Sequence, residues 1–340
     1  METEKRRPWR RWVVLALMIV GCVLAGGLAG FGFAGFPPVR PEITVAAERL
    51  MEEPLFTLPA PFGPFYLINT MPTLLVTIIL LIVIAFFTNR ALEKSAQTDL
   101  VPRGIGNLME AFFELIYNLT ESSTGAKWAP VIFPWFATIM IYVLFANLLK
   151  LIPGFESIGL LHQVAQGHPV IGGILQPGEV QNGYVLVPFF RGISVDLNFT
   201  FALAIISFIM IQVVGFRAQG FGYLSKFFNF QTMFKVPFFG AMDFVVGILE
   251  LISEFAKILS FAFRLFFVMF AGIILIAIAS SLLGMITIVP AILYMVELAF
   301  GIIQAFVFGM LTMVFMSMAT QGHSHEENGH VEAQAEVREI

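Results

Sequence analysis

The chain has 340 residues, 58% of them hydrophobic and 12% charged, with a mean hydropathy of +0.86 and a formal net charge of −4. That balance excludes an ordinary soluble domain and leaves no case for a nucleic-acid partner; several apolar runs are long enough to cross a hydrocarbon core of roughly 30 Å, so the chain reads as a polytopic membrane protein. Cys22 is the single cysteine, which rules out an internal disulfide.

In chain order, hydropathy predicts spans at residues 12–35, 71–87, 131–151 and 199–216, then two longer apolar tracts at 237–286 and 288–319. Lys5, Arg6, Arg7, Arg10 and Arg11 precede the first span and place the N-terminus in the cytoplasm by the positive-inside rule. A competing reading takes this segment as a signal peptide, with Ile19-Val20-Gly21-Cys22 as a lipoprotein processing site. The apolar run continues through Gly32 and Phe33, as a retained helix would. Arg90, Lys94, Arg103 and Lys127, and later Arg217, Lys226 and Lys235, then fall on the cytoplasmic side, while residues 152–195 are outside and carry only Arg191.

Between the second and third spans, residues 104–120 mix apolar positions with Glu110 and Glu114 at helical spacing and predict an amphipathic helix on the cytoplasmic surface. Tract 237–286 would run about 75 Å as helix and tract 288–319 about 48 Å, so neither stands upright. They are expected to form a long, tilted antiparallel pair that returns the C-terminus to the cytoplasm. The expected organisation is a basic N-terminus with an extra helix (1–35), an extracytoplasmic segment (36–70), a membrane domain (71–320) and a polar tail (321–340), all-α with about six membrane helices.

Arg264 stands alone among uncharged residues from Ile258 to Ile286. A charge at mid-membrane depth costs about 2.5–3.5 kcal/mol on insertion scales, so a chain that keeps one uses it. At 100° per residue, Glu250, Ser253, Lys257, Ser260 and Arg264 share one face, with Glu250 and Arg264 about 21 Å apart along the axis. Beyond Arg264 that face becomes Val268, Ala271 and Leu275. The stripe reads as a hydrated half-path that ends on a fixed positive charge. The bland alternative makes Glu250, Glu254 and Lys257 an interfacial patch, because Glu254 and Lys257 are spaced to pair on any helix.

In tract 288–319 the only charge is Glu297, and Gln304 follows it by seven residues on the same face, about 10 Å further along. If the tracts are antiparallel, Gln304 can lie level with Arg264 and hydrogen-bond it. A carboxylate on each side of the arginine then suggests two offset proton paths. The alternative has Glu297 hydrogen-bonded structurally to Tyr294 or to backbone.

Arg264-Leu265-Phe266 with Met269 and Ala271-Gly272, then Gln304-Ala305-Phe306-Val307-Phe308 running into Leu311-Thr312 and Ser317-Met318-Ala319, resemble subunit a of the F-type ATP synthase, the stator of its membrane motor. Val101-Pro102-Arg103-Gly104, Asn147 ahead of Pro153, and Asp196, Asn198 and Thr200 are similar to the family pattern as well, and the likeness runs from about Met71 onward. It implies that Arg264 faces a rotating ring of subunit c, that Glu297 relays protons on the extracytoplasmic side, that Gln304 orients the arginine and that Glu250 is an acid near the cytoplasmic exit. Asn147, Asp196, Ser260, Lys257, Glu254 and Tyr294 are secondary candidates. It also implies partners in the c ring, subunit b or a peripheral stalk, the other ATP synthase subunits and membrane lipid, in a bacterial inner membrane. A carboxylate passing a fixed guanidinium has its ionised form favoured, which fits release of its proton there.

Three departures stand out. Polar positions that the family often has four and nine residues after the arginine are Val268 and Ile273. A family aspartate three residues after Asn147 is Lys150, expected to snorkel to the headgroups, with Glu156 as a possible substitute. The family core has five helices, so 12–35 would be an addition.

No phosphate loop, dinucleotide fingerprint or nucleophile elbow occurs, so no cofactor is expected and ATP chemistry belongs to other subunits. His323, His325 and His330 sit in a polar tail with Glu326 and Glu327, and no metal site is expected there. Asn118-Leu119-Thr120 fits a glycosylation pattern but falls on the cytoplasmic side. The alternative function is a secondary transporter using Arg264 to bind an anionic substrate, although the two halves of the chain show no internal repeat. Whether the ion is H⁺ or Na⁺ does not follow from the pattern.

Overall fold

The computed structural model describes residues 46–51, 53–59, 63–98, 104–152, 155–156, 158–171, 174–175, 180–220, 222–223, 237–282 and 288–321. The expected span at 12–35 and the histidine-bearing tail lie outside them. Six helices occur among the described residues: α1 Thr70–Thr98, α2 Ile105–Thr124, α3 Ala129–Leu149, α4 Leu197–Gln219, α5 Pro237–Leu282 and α6 Ile288–Thr320. All but α2 are long and apolar enough to cross a membrane. The chain is therefore an all-α polytopic membrane protein, with its two longest helices last.

Local chemistry sets the helix limits. α2 stops at Gly125, whose φ of +77° is a conformation that glycine adopts without steric penalty, and its N–H donates to Glu121 O at 2.8 Å. α4 starts at Asp196, whose carboxylate accepts from Asn198 N at 3.0 Å, and carries Arg217 in its last turn, where a cation suits the helix dipole. α5 is one helix of 46 residues, about 69 Å, so its length alone demands tilt or curvature in a membrane. On α1, Leu75, Ile79, Ile82, Phe86 and Phe87 are all exposed, a face suited to hydrocarbon rather than water.

Strands occupy segments that sequence periodicity had left without structure. β1 Phe56–Leu58 and β2 Gly63–Phe65 form a small antiparallel hairpin closed by stacked Phe56 and Phe65 rings 4.7 Å apart. In the segment after α3, β3 Gly159–His168 lies between β6 Val180–Gln181 and β7 Tyr184–Pro188, while β4 Val170–Ile171 pairs with β5 Ile174–Leu175. These strands are two to ten residues long and mostly lack a clean apolar alternation, so the signal was weak.

The chain divides into two compact units. The first holds the described residues up to Thr73, Leu148–Val195 and Val268–Gly301; the second holds Leu74–Asn147, Asp196–Phe267 and the described residues from Ile302. In the second unit, aromatic pairs join successive helices: Tyr117 to Phe133, Tyr142 to Phe199, Phe201 to Phe263, and Phe261 to both Phe308 and Phe315. Gly309 of α6 packs so closely on Phe136 and Met140 of α3 that an added Cβ would lie 2.9 Å from each. Lys257 lies over Phe315 while Phe261 meets Phe308, so α5 and α6 run antiparallel, as expected of the last two tracts. In the first unit, Arg191 is buried; its backbone N–H donates to Thr73 Oγ1 at 3.1 Å and its Nη1 to Ala46 O at 2.8 Å.

Candidate functional site

In the second unit, Arg264 projects from an exposed position on α5 and its Nη2 donates to Ser260 Oγ at 3.5 Å, one turn earlier. The two residues line a cleft of about 260 Å³ with Ser253, Ala256, Lys257, Phe261, Leu311 and Phe315. Four of the five members of the predicted stripe thus meet in one concavity. The fifth, Glu250, is half-buried and outside that lining. The arrangement follows from the helix repeat, which stacks residues three and four apart on one side.

Glu254 is adjacent to the cleft and buried, at 2% exposure. Its carboxylate accepts from Lys257 Nζ at 2.8 Å and from Gln212 Nε2 of α4 at 3.3 Å. The pairing of Glu254 with Lys257, on which the alternative of an interfacial patch rested, is present. Gln212 was missed, and its signal was a lone amide within an otherwise apolar span.

Gln304 is buried on α6, and its Nε2 has no hydrogen-bond partner among the described residues. The hydrogen bond expected between Gln304 and Arg264 is not formed; the guanidinium turns to Ser260 on its own helix instead. A buried amide without a partner is costly, about 1–3 kcal/mol, and a group left in that state marks a place where water or another polar group can enter.

In the first unit, Glu297 is 5% exposed and its Oε1 accepts from Lys150 Nζ at 2.6 Å, with the lysine side chain only 2% exposed. This corrects the reading of Lys150 as a snorkelling residue: the chain turns after α3 in a way that aims its ammonium at Glu297 rather than at the headgroups. Among the described residues it also replaces the alternative in which Glu297 bonds Tyr294 or backbone, since the partner its carboxylate finds is Lys150. Two glycines make room for the pair. A Cβ on Gly272 of α5 would sit 2.9 Å from Glu297 Oε1, and one on Gly192 would sit 3.1 Å from Lys150 Cδ. Glu156, exposed, accepts from Gly192 N at 3.1 Å. A buried pair of this kind forgoes hydration that only close geometry can offset, and removal of either partner is far more harmful than loss of both.

Of the secondary candidates, Asp196 caps α4 and Asn147 is fully buried at the end of α3. Neither lines the Arg264 cleft. No cluster of three or more metal-ligating side chains occurs among the described residues.

The family model described as ATP synthase A chain matches residues 72–317. The ATP synthase subunit a of Helicobacter pylori strain P12 is 30% identical to this chain over 254 residues, covering 72% of this chain and 90% of the relative. That of Campylobacter jejuni strain RM1221 is 30% identical over 237 residues, covering 68% and 85%. A lone arginine in the longest apolar helix, an acid and an amide seven residues apart in the next, and a match across most of the chain lead to one conclusion: it belongs to the ATP synthase A chain family.

Proposed function

We propose that this chain conducts protons through the membrane sector of an ATP synthase along two offset half-paths separated by Arg264, against a rotating ring of carboxylate-bearing subunits. Membership in the family makes it an ion-translocating, non-catalytic subunit of the complex, so the chemistry on ATP takes place elsewhere. The observation that carries the finer reading is Arg264, a single guanidinium in an apolar helix that opens to a cleft lined by Ser253, Lys257 and Ser260.

On this reading, one path runs along the Glu250–Arg264 stripe and the other reaches Glu297. A rotor carboxylate arriving at the guanidinium ionises because the opposite charge favours its charged form, and it regains a proton after moving on. The permanent charge of arginine suits it to this work, since it stays protonated throughout. Each proton crossing is driven by about 2.3 kcal/mol per 100 mV, so several must cross for each ATP. Gln304, buried with a free amide, is placed by the reading as a polar contact for water or for the rotor carboxylate near the arginine. The exposed side of α2 and the apolar face of α1 suit peripheral-stalk subunits and lipid respectively. Both termini are assigned to the cytoplasm from the loop charges.

The test is Arg264→Ala in the assembled complex, with ATP synthesis driven by an imposed pH gradient in membrane vesicles. Synthesis should fall below detection while assembly persists. Coupled synthesis at the wild-type rate would refute the assignment. Sodium dependence measured in the same vesicles should be absent for a proton carrier. With the family established, the transporter alternative has no observation in its favour.

A further inference from the structure

We propose that Lys150 is a positioning residue for proton transfer at Glu297: its ammonium is the built-in counter-ion of that carboxylate, holding it in one place and charged between proton arrivals. The proposal rests on the reading of Glu297 as a proton relay and adds a partner that the sequence pattern did not assign.

The geometry is that of a built site. The Nζ to Oε1 distance is 2.6 Å and both side chains are almost wholly buried. Gly272 and Gly192 leave the space that the carboxylate and the lysine stem occupy, so neither group can drift without meeting backbone. The titratable groups near the pair are Glu156 and Tyr294, with Arg191 beside Glu156, and Gly272 of α5 lies against the carboxylate. Arg191 is engaged with Ala46 O, and Glu156 with Gly192 N. Among the described residues, Lys150 is thus the one cation in direct contact with Glu297.

Charge compensation of this kind has a definite consequence. A buried carboxylate without a counter-ion takes up a proton rather than remain charged. An acid that stays protonated cannot accept the next proton, so without the lysine the path would pass protons only at higher pH. The Glu297 carboxylate takes a proton from one neighbour along the path and gives it up to the next, while Lys150 Nζ stays beside it as the positioning group.

The experiment uses the complete complex in lipid vesicles and follows ATP-driven proton pumping as a function of pH. Lys150→Met should move the profile to higher pH by at least about one unit, the size of effect expected for a lost opposite charge at contact distance. Lys150→Arg, which keeps the charge, should return the profile toward its wild-type position. An assembled Lys150→Met complex with the wild-type profile, or Lys150→Arg behaving like Lys150→Met, would overturn the proposal. If Lys150→Met does not assemble, adding Glu297→Gln must restore assembly because no uncompensated charge remains; failure to do so also overturns it. Glu297→Gln alone separates the two ideas. Normal pumping in that variant would sink the relay reading itself, whereas an inactive Glu297→Gln beside an unshifted Lys150→Met sinks only the role of the lysine.

Discussion

Gly272→Ala places one methyl group against the Glu297 carboxylate, and its consequence can be worked from the distances. The new Cβ would lie 2.9 Å from Oε1, 3.1 Å from Cδ and 3.3 Å from Cγ of Glu297. Ordinary carbon contacts begin near 3.4 Å or more, so the carboxylate must retreat by about 0.5 Å, away from its place in the 2.6 Å bond to Lys150. Lysine has little freedom to follow, because its stem lies against Gly192. Overpacking costs about 1–3 kcal/mol, and replacing a mid-helix glycine by alanine returns roughly 1 kcal/mol of helix propensity. The net loss of stability is therefore small, about 0–2 kcal/mol, and the complex should assemble. Proton transfer is more sensitive to position than folding is: a 1 Å misplacement can cost about a hundredfold, so a shift of half that predicts a loss of roughly tenfold in pumping. The assay is ATP-driven acidification of inverted vesicles, normalised to the assembled complex. Glu297→Asp, which withdraws the carboxylate by one methylene, should partly restore pumping when combined with Gly272→Ala. Wild-type pumping by the single variant, or no gain from the double, would refute the reasoning.

Three further outcomes follow from individual contacts. Gln304→Leu removes a buried amide whose Nε2 has no partner, so the complex should be as stable or more so in a thermal assay, while ATP synthesis falls if the amide serves the moving proton carrier. Asp196→Ala should lower stability by about 1 kcal/mol through loss of the α4 cap, and Asp196→Asn should recover it; a pumping defect shared by both variants would instead point to a part in conduction. Gly309→Val drives a branched side chain into Phe136 and Met140 and should reduce assembled protein by an amount corresponding to about 1–3 kcal/mol or more, read from complex yield on native gels.

The contrast between Glu254 and Glu297 separates what was legible from what was not. Glu254 and Lys257 are three residues apart on one helix, so their pairing could be read before any tertiary structure was known, and it is observed at 2.8 Å. Glu297 and Lys150 are 147 positions apart, and the hydrophobic reading of Lys150 pointed to the headgroups. No local period links the two. Gln212 reaching Glu254 from α4 was equally invisible, as was the separation of Gln304 from the Arg264 guanidinium. Strands between spans escaped for another reason: most have only two to five residues, and the ten of β3 lack a clean alternation, so none stands out beside long apolar helices.

By itself, the sequence determined that the chain lives in a membrane, where its long helices run, that α5 and α6 cannot stand upright, and that Arg264 heads a polar stripe. Each of these depends on composition, length or the 3.6-residue repeat, which are properties of the chain taken locally. Only the tertiary structure decided which polar groups meet across helices. Those meetings depend on the rotation and register of each helix, set by close contacts such as Gly309 on Phe136 and Gly272 on Glu297, where absence of a side chain lets two surfaces approach. In an apolar solvent no water competes for the buried groups, so a few such contacts determine whether a charge finds a partner or stands alone.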